Sequence, residues 1–306
     1  MVMNFIQSLL LIAAAPLFIG ILKRMKAIIR GYEGAPICQP YYNIKRLLSK
    51  ERVISKTSSF ITTIGPTIIL AAAVLSAFLV PIIWTRPKAL VGNIFIVIFI
   101  MNIIKFITAL IGLDCASTFG GMGSSRELFI SMFAEPIGFL MAAFLYFETR
   151  TFNIYEIASI NSLSKNLSTP HIIAAAAFLI WVAVENARMP VDNPETHLEL
   201  TMIHEAMILD ISGRDLAYIE LASYIKLIVF LTIFTNAFIP FGIATSLTFI
   251  AIVKAAALYV IKVIAILFII AIVETTMAKF RLFKVPELLA VSFCFALTAI
   301  SIIYLN

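Results

Sequence analysis

The sequence predicts an all-α polytopic membrane protein with about eight transmembrane helices and both termini outside. Of its 306 residues 61% are hydrophobic and 13% charged, whereas soluble domains carry about 25% charged residues; mean hydropathy is +1.03. Apolar runs near the roughly 20 residues needed to cross a bilayer as helix fall at 1–22, 60–83, 90–113, 127–148, 170–186, 218–240, 245–273 and 286–304. The 170–186 run is the shortest. Lysines and arginines crowd alternate loops, fifteen on one side against four on the other. Positively charged loops stay in the cytoplasm, which sets the orientation.

The first run has almost no charged residues before it and no small-residue cleavage site before Lys23, so it reads as a retained span. Loop 23–59 follows. It holds RGYEGAPICQPYYNIKRLLSKE, where Gly31, Gly34, Pro36 and Pro40 make a turn-rich entry and YYNIKRLLSKE has the pattern of an amphipathic helix. Such a helix either lies on the membrane surface or docks a peripheral subunit. Loop 114–126, DCASTFGGMGSSR, lacks the Gly-Lys-Ser/Thr of a nucleotide loop. Its glycines predict a bend at the membrane boundary, with Ser124 or Ser125 capping a helix that begins at Arg126.

Several ionisable residues fall within spans: Lys105 in the third, Glu135 in the fourth, Lys226 in the sixth, Lys254 and Lys262 in the seventh. Lone charges in the bilayer cost several kcal/mol, roughly 2.5–3.5 by insertion scales, so each must be paired, hydrated or neutral. Glu135 precedes Pro136, whose missing N–H favours a kink that can hold water. It is either a station in a proton or water path or half of an ion pair with a lysine on a neighbouring helix. Lys262 has the alternative of snorkelling to a helix end.

Loop 187–217, with the end of the span before it, concentrates the acidic groups: Glu185, Asp192, Glu195, Glu199, Glu205, Asp210 and Asp215, with His197 and His204. Pro190 and Pro194 break the chain, and Asp192 or Asn193 is placed to cap a helix starting at Pro194. Such a helix puts Glu195 and Glu199 on one face, an acidic patch at the mouth of the bundle. His197, His204 and Glu205 suggest a metal, but the histidines are seven apart, about 10 Å along a helix axis. Hydrogen bonding or proton exchange fits them better, and no metal site is predicted. Cys38, Cys115 and Cys294 form no CxxC pair, so no iron–sulfur cluster or disulfide framework is expected on this chain. The basic residues are confined to lipid-flanking loops and do not form a nucleic-acid-binding module. No repeat or linker divides the chain, and 1–306 reads as a single integral membrane domain.

ENARMPVDNPETHLELTMIHEAMILDISG, from Glu185 to Gly213, resembles the signature of the membrane-anchor subunits of group 4 membrane-bound nickel–iron hydrogenases, of the hydrogenase-4 component C or formate hydrogenlyase subunit 4 type. This is the hydrogenase branch of the complex I subunit 1 superfamily. RGYEGAPICQPYYNIKRLLSKE and LDCASTFGGMGSSRELFISMFAEP, Leu113 to Pro136, are similar to the same family, so the resemblance covers essentially the whole chain. The complex I core Glu-x-x-Arg-x-Pro-Phe-Asp is matched by Glu185, Arg188, Pro190 and Asp192, with Val191 in place of Phe. The following acidic positions fall on Glu195 and Glu199, and Arg126 with Glu135 matches a paired arginine and intramembrane glutamate. His197 to Glu205 departs from the quinone-reducing branch, which makes a quinone site doubtful.

The resemblance implies a non-catalytic subunit that seats a peripheral redox arm, the hydrogenase small and large subunits, and joins it to antiporter-like subunits in a bacterial or archaeal cytoplasmic membrane. Iron–sulfur clusters and the nickel–iron centre are expected on those partners and no cofactor on this chain. Loops 23–59 and 187–217 are the expected docking surface, with Arg30, Glu33, Gln39, Lys45 and Asp210 as contacts. Glu185, Arg188, Asp192, Glu195, Glu199 and Glu205, with Glu135, Lys105, Lys226 and Arg126, are the expected coupling path for protons or sodium. The alternatives are a quinone-site subunit of NADH:quinone oxidoreductase and a stand-alone ion-coupled transporter. The latter requires inverted repeats that the sequence does not display.

Overall fold

The computed structural model describes residues 2–55, 58–85, 92–164, 168–192, 202–239, 241–244 and 248–305. Among the described residues seven helices are long and apolar enough to cross a membrane: α1 (Val2–Ile29), α3 (Phe60–Leu79), α4 (Ile94–Asp114), α5 (Thr118–Thr149), α9 (Gly213–Phe238), α10 (Phe249–Thr276) and α11 (Val285–Leu305), the last entered through a 3₁₀ turn at Leu282–Lys284. An eighth apolar helix, α7 (Thr169–Glu185), has 17 residues. Three short helices complete the described residues: α2 (Gln39–Leu48), α6 (Ile154–Ser164) and α8 (His204–Ile208). Each of the eight predicted spans contains one of these helices, and among the described residues there is no β-strand.

Helix α9 is the axis. Every residue from Tyr224 to Phe238 is buried, as expected of a helix that is apolar on all sides, and it packs against α1, α2, α3, α6, α7 and α10. Between helices in lipid the hydrophobic effect supplies little, so close approach of small residues and interhelical hydrogen bonds hold the bundle. Ala73, Ala77, Ala142, Ala174, Ala177, Ala296 and Ala299 are accordingly fully buried. Ser292 of α11 donates to the Ala177 carbonyl of α7 at 2.9 Å.

Two segments differ from expectation. Helix α5 begins at Thr118, so most of the predicted 114–126 loop is helix. Its cap is Ser117, whose hydroxyl accepts the Gly120 N–H at 3.0 Å. Ser124 instead donates to the Ala109 carbonyl of α4 at 2.8 Å. The glycines serve packing here: a Cβ on Gly120 would lie 2.3 Å from the Gly112 carbonyl oxygen.

Helix α1 continues to Ile29, beyond the predicted end at residue 22, and the chain then doubles back along it. A Cβ on Gly20 would meet the Ile37 carbonyl oxygen at 1.8 Å, and the Tyr41 hydroxyl donates to the Ala13 carbonyl. Ala13 is sixteen residues from the end of α1, about 24 Å. The amphipathic α2 therefore lies against the flank of α1 and α9. Gly20→Ala is expected to force these backbones apart at a cost of about 1–3 kcal/mol, read as a lower unfolding midpoint of the detergent-solubilised protein. Gly121→Ala, whose Cβ meets nothing within 4 Å, should leave that midpoint unchanged or raise it.

Candidate functional site

The site exists because α7 is short. Seventeen residues rise about 26 Å, and at the end of the helix the carbonyls of Val182, Ala183 and Val184 accept N–H groups of the turn that follows, which leaves the Glu185 oxygen for a side chain. Lys226 of α9 donates to the Glu185 backbone oxygen at 2.7 Å and its Nζ lies 3.8 Å from Oε2 of the same residue. Lys105 of α4 donates to Glu185 Oε1 at 2.8 Å. One carboxylate thus sits between two lysines, all three side chains at most 8% exposed. Lys105 is nine residues, about 14 Å, from the end of its helix, and Lys226 is thirteen residues, about 20 Å, from the start of its own. Charges at such depth persist only when paired.

A cavity of about 300 Å³ opens above this cluster. Its walls come from α1 (Lys23, Lys26), α4 (Lys105, Thr108), α5 (Glu127), the chain after α7 (Asn186, Arg188, Asp192), α8 (His204, Glu205) and α9 (Glu220, Tyr224, Lys226). Glu127 adds a second carboxyl beside the two lysines, and among the described residues that carboxyl makes no hydrogen bond.

The turn after α7 is stitched into place. Ala187 adopts a left-handed conformation, φ 46°, which ends the helix and turns Arg188 toward α10, where Glu274 Oε1 is 3.4 Å away. Glu274 also pairs with the buried Lys26 of α1 at 2.9 Å. Asp192 pairs with Lys279 at 2.5 Å, and its other oxygen accepts the N–H groups of Ile203 and His204 at 3.2 and 3.0 Å. Those amides open α8, so Asp192 caps α8. The cap predicted for Asp192 or Asn193, on a helix starting at Pro194, lies beyond this bond, because 193–201 are outside the described residues. Removal from bulk water holds the His204 imidazole below its usual range, with Glu205 opposing that shift.

Of the predicted coupling residues, Glu185, Arg188, Asp192, Glu205, Lys105 and Lys226 line this one cavity. Glu195, Glu199 and His197 lie outside the described residues. Arg126 and Glu135 are not brought together: nine residues along a helix is a half-integral number of turns, so they occupy opposite faces of α5. Arg126 donates to the Met202 carbonyl at 3.0 Å. Glu135 is half-buried, does not line the cavity and, among the described residues, has no hydrogen-bond partner, although its carboxyl is near enough to Lys105 for the two charges to interact. Lys262 donates to the Ile239 carbonyl at 2.6 Å, and Lys254 is exposed. Arg30, Glu33, Lys45 and Asp210 are exposed, while Gln39 is partly covered and bonds Asn43 at 3.1 Å. Glu127, Lys26, Glu274 and Lys279 were missed. A lone acid at the end of the apolar α10, facing a basic α1 terminus, was the available signal for Glu274.

A family model described as NADH dehydrogenase matches residues 2–305. The chain belongs to the NADH dehydrogenase family. This family member is 26% identical over 294 residues to hydrogenase-4 component C of Escherichia coli K12, covering 96% of this chain and 92% of that one. It is 27% identical over 298 residues to formate hydrogenlyase subunit 4 of the same organism, covering 96% and 95%. Its fold matches a chain from the structure of the membrane-bound sulfane sulfur reductase, an archaeal respiratory membrane complex. The TM-score is 0.80 at 19% identity, over 97% of this chain and 99% of that chain. Within this NADH dehydrogenase family chain, Glu185, Arg188 and Asp192 are the residues that end α7, bridge to α10 and cap α8.

Glu185→Ala, which strands two buried lysines, is expected to cost about 3–5 kcal/mol. Combining it with Lys105→Met should recover part of that loss, and a double-mutant cycle on unfolding midpoints measures the coupling. His204 favours the neutral form when folded, so its contribution is present above the ordinary histidine range and lost as pH falls through it. The midpoint of the native protein should therefore fall below about pH 6.5 more steeply than that of His204→Gln.

Proposed function

We propose that the chain is the membrane-anchoring and coupling subunit of a complex I-like hydrogenase, seated in a bacterial or archaeal cytoplasmic membrane with both termini outside. Full-length similarity to two hydrogenase-complex subunits supports the assignment. The observation that carries the coupling role is a single carboxylate, Glu185, held between Lys105 and Lys226 at the floor of a charged cavity. The exposed residues of loop 23–59 and Asp210 are the surface on which the iron–sulfur and nickel–iron subunits would sit.

In this role electron arrival in the arm changes the charge over the cavity mouth. Arg188, Asp192, His204 and Glu205 form that mouth and feel the change first. Glu185 transmits it, because losing or gaining a proton there alters the balance with the two lysines. Glu127 is the adjoining acceptor on α5, and Glu135 continues the path toward antiporter-like subunits. The cavity volume is at the lower end of small-molecule sites, about 300–1,000 Å³. That observation favours, as the second reading, a quinone-site subunit.

The test is purification of the tagged chain from native membranes, with identification of its partners and assay of metal, hydrogen evolution and ion movement. Nickel-bearing partners with hydrogen activity are expected, and quinone-dependent activity without nickel would favour the second reading. In the intact complex Glu185→Gln and Glu127→Gln should reduce ions moved per electron while hydrogenase turnover with an artificial donor persists. Unchanged stoichiometry in both, and in Glu135→Gln, would remove the relay.

A further inference from the structure

The last carbonyls of α9 are capped from three other helices at the opposite end of α7 from Glu185. Asn161 of α6 donates to Ala237 O at 2.9 Å. Lys262 of α10 donates to Ile239 O at 2.6 Å. Between them, His171 Nε2 lies 3.2 Å from Phe238 O, while its Nδ1 lies 2.9 Å from Glu148 Oε1 of α5. His171 is fourteen residues before Glu185, about 21 Å along α7, so this cluster is separate from the cavity.

With Glu148 as the carboxylate, the two contacts fix the proton count of the ring. A carbonyl oxygen only accepts, so Nε2 carries a hydrogen. A carboxylate also only accepts, and a neutral imidazole has no second N–H to give it. Both acceptors therefore face a ring that satisfies them together only as the cation. The end of α9 adds to this, because the helix dipole concentrates partial negative charge there. We propose that His171 is an imidazolium, a proton-binding site that ties α5 to the end of α9 on the face opposite the cavity.

Among the described residues the surroundings leave Glu148 as its counter-ion. The last three turns of α9 hold no ionisable residue, α10 presents Lys262 to the neighbouring carbonyl, and α6 presents Asn161, its Glu156 being bonded to Thr151 at 2.7 Å. Arg150 after α5 is exposed, as are Cys294 and Tyr304 of α11. The His171 side chain is 5% exposed and that of Glu148 23%, so Glu148 is the more exposed of the pair. Deprotonation leaves one of the two acceptors facing a bare nitrogen, which loosens one helix from the other.

The site is independent of the hydrogenase assignment, and its test reads the ring itself. The complex is isolated with ¹⁵N-labelled histidine, and solid-state nitrogen spectra of the native protein and His171→Gln are subtracted, leaving the signals of His171. Two N–H nitrogens at about pH 7 are expected, and Glu148→Gln should convert them to one N–H and one bare nitrogen. A bare nitrogen in the native protein, or two N–H signals unaffected by Glu148→Gln, would overturn the proposal. If His171→Gln does not assemble, the difference between native and Glu148→Gln spectra reports the same change.

Discussion

The bridge from Lys105 through Glu185 to Lys226 is the constraint around which the bundle is arranged. It joins α4, α7 and α9 at a depth where an unpaired charge is not tolerated, so each helix is held in rotation and height by the other two. The 2.8 Å contact with Lys105 and the 2.7 Å bond from Lys226 to the helix-terminal oxygen satisfy a side chain and a backbone end at once. A hydrophobic replacement of the trio could hold the helices equally well. A charged one leaves a group whose balance an outside charge can tip.

A second ring of ion pairs surrounds this bridge. Lys26, Arg188 and Glu274 join α1 and α10 to the turn after α7, and Asp192 joins that turn to Lys279 and to α8. Since α8 has only five residues, it has little intrinsic stability. Its position depends on Asp192 and on packing of Ala206, Met207 and Ile208. The mouth of the cavity is therefore held electrostatically, and screening or protonation acts on it more readily than on the floor.

Much of this was legible in the sequence, for identifiable reasons. Span positions follow from hydropathy alone, and the density of acids after Glu185 marked the region that proved to line the cavity. The pairing of Glu185 with Lys105 was not legible, because the two are 80 residues apart and only the packing of α4 on its neighbours brings them together. Glu135 drew notice through Pro136 and its spacing from Arg126, yet it is Glu127, about two turns earlier on the same helix, that lines the cavity beside the lysines. The Gly/Ser-rich 114–126 segment read as a loop because small residues favour turns in water. In a helical bundle they allow backbones to touch, as Gly112 and Gly120 do. Glu274 lay one residue past the predicted end of its span and so escaped notice.

The shortness of α7 has an electrical consequence. Water filling the cavity would carry the potential of one side of the membrane down to the end of that helix, and the insulating layer would narrow to the roughly 26 Å that 17 residues span. The voltage drop would then be concentrated along α7 itself, between Glu185 and His171. A unit charge displaced along that helix would do electrical work of about 2.3 kcal/mol per 100 mV. The two ends of one short helix would thus lie close to the two terminals of the membrane capacitor.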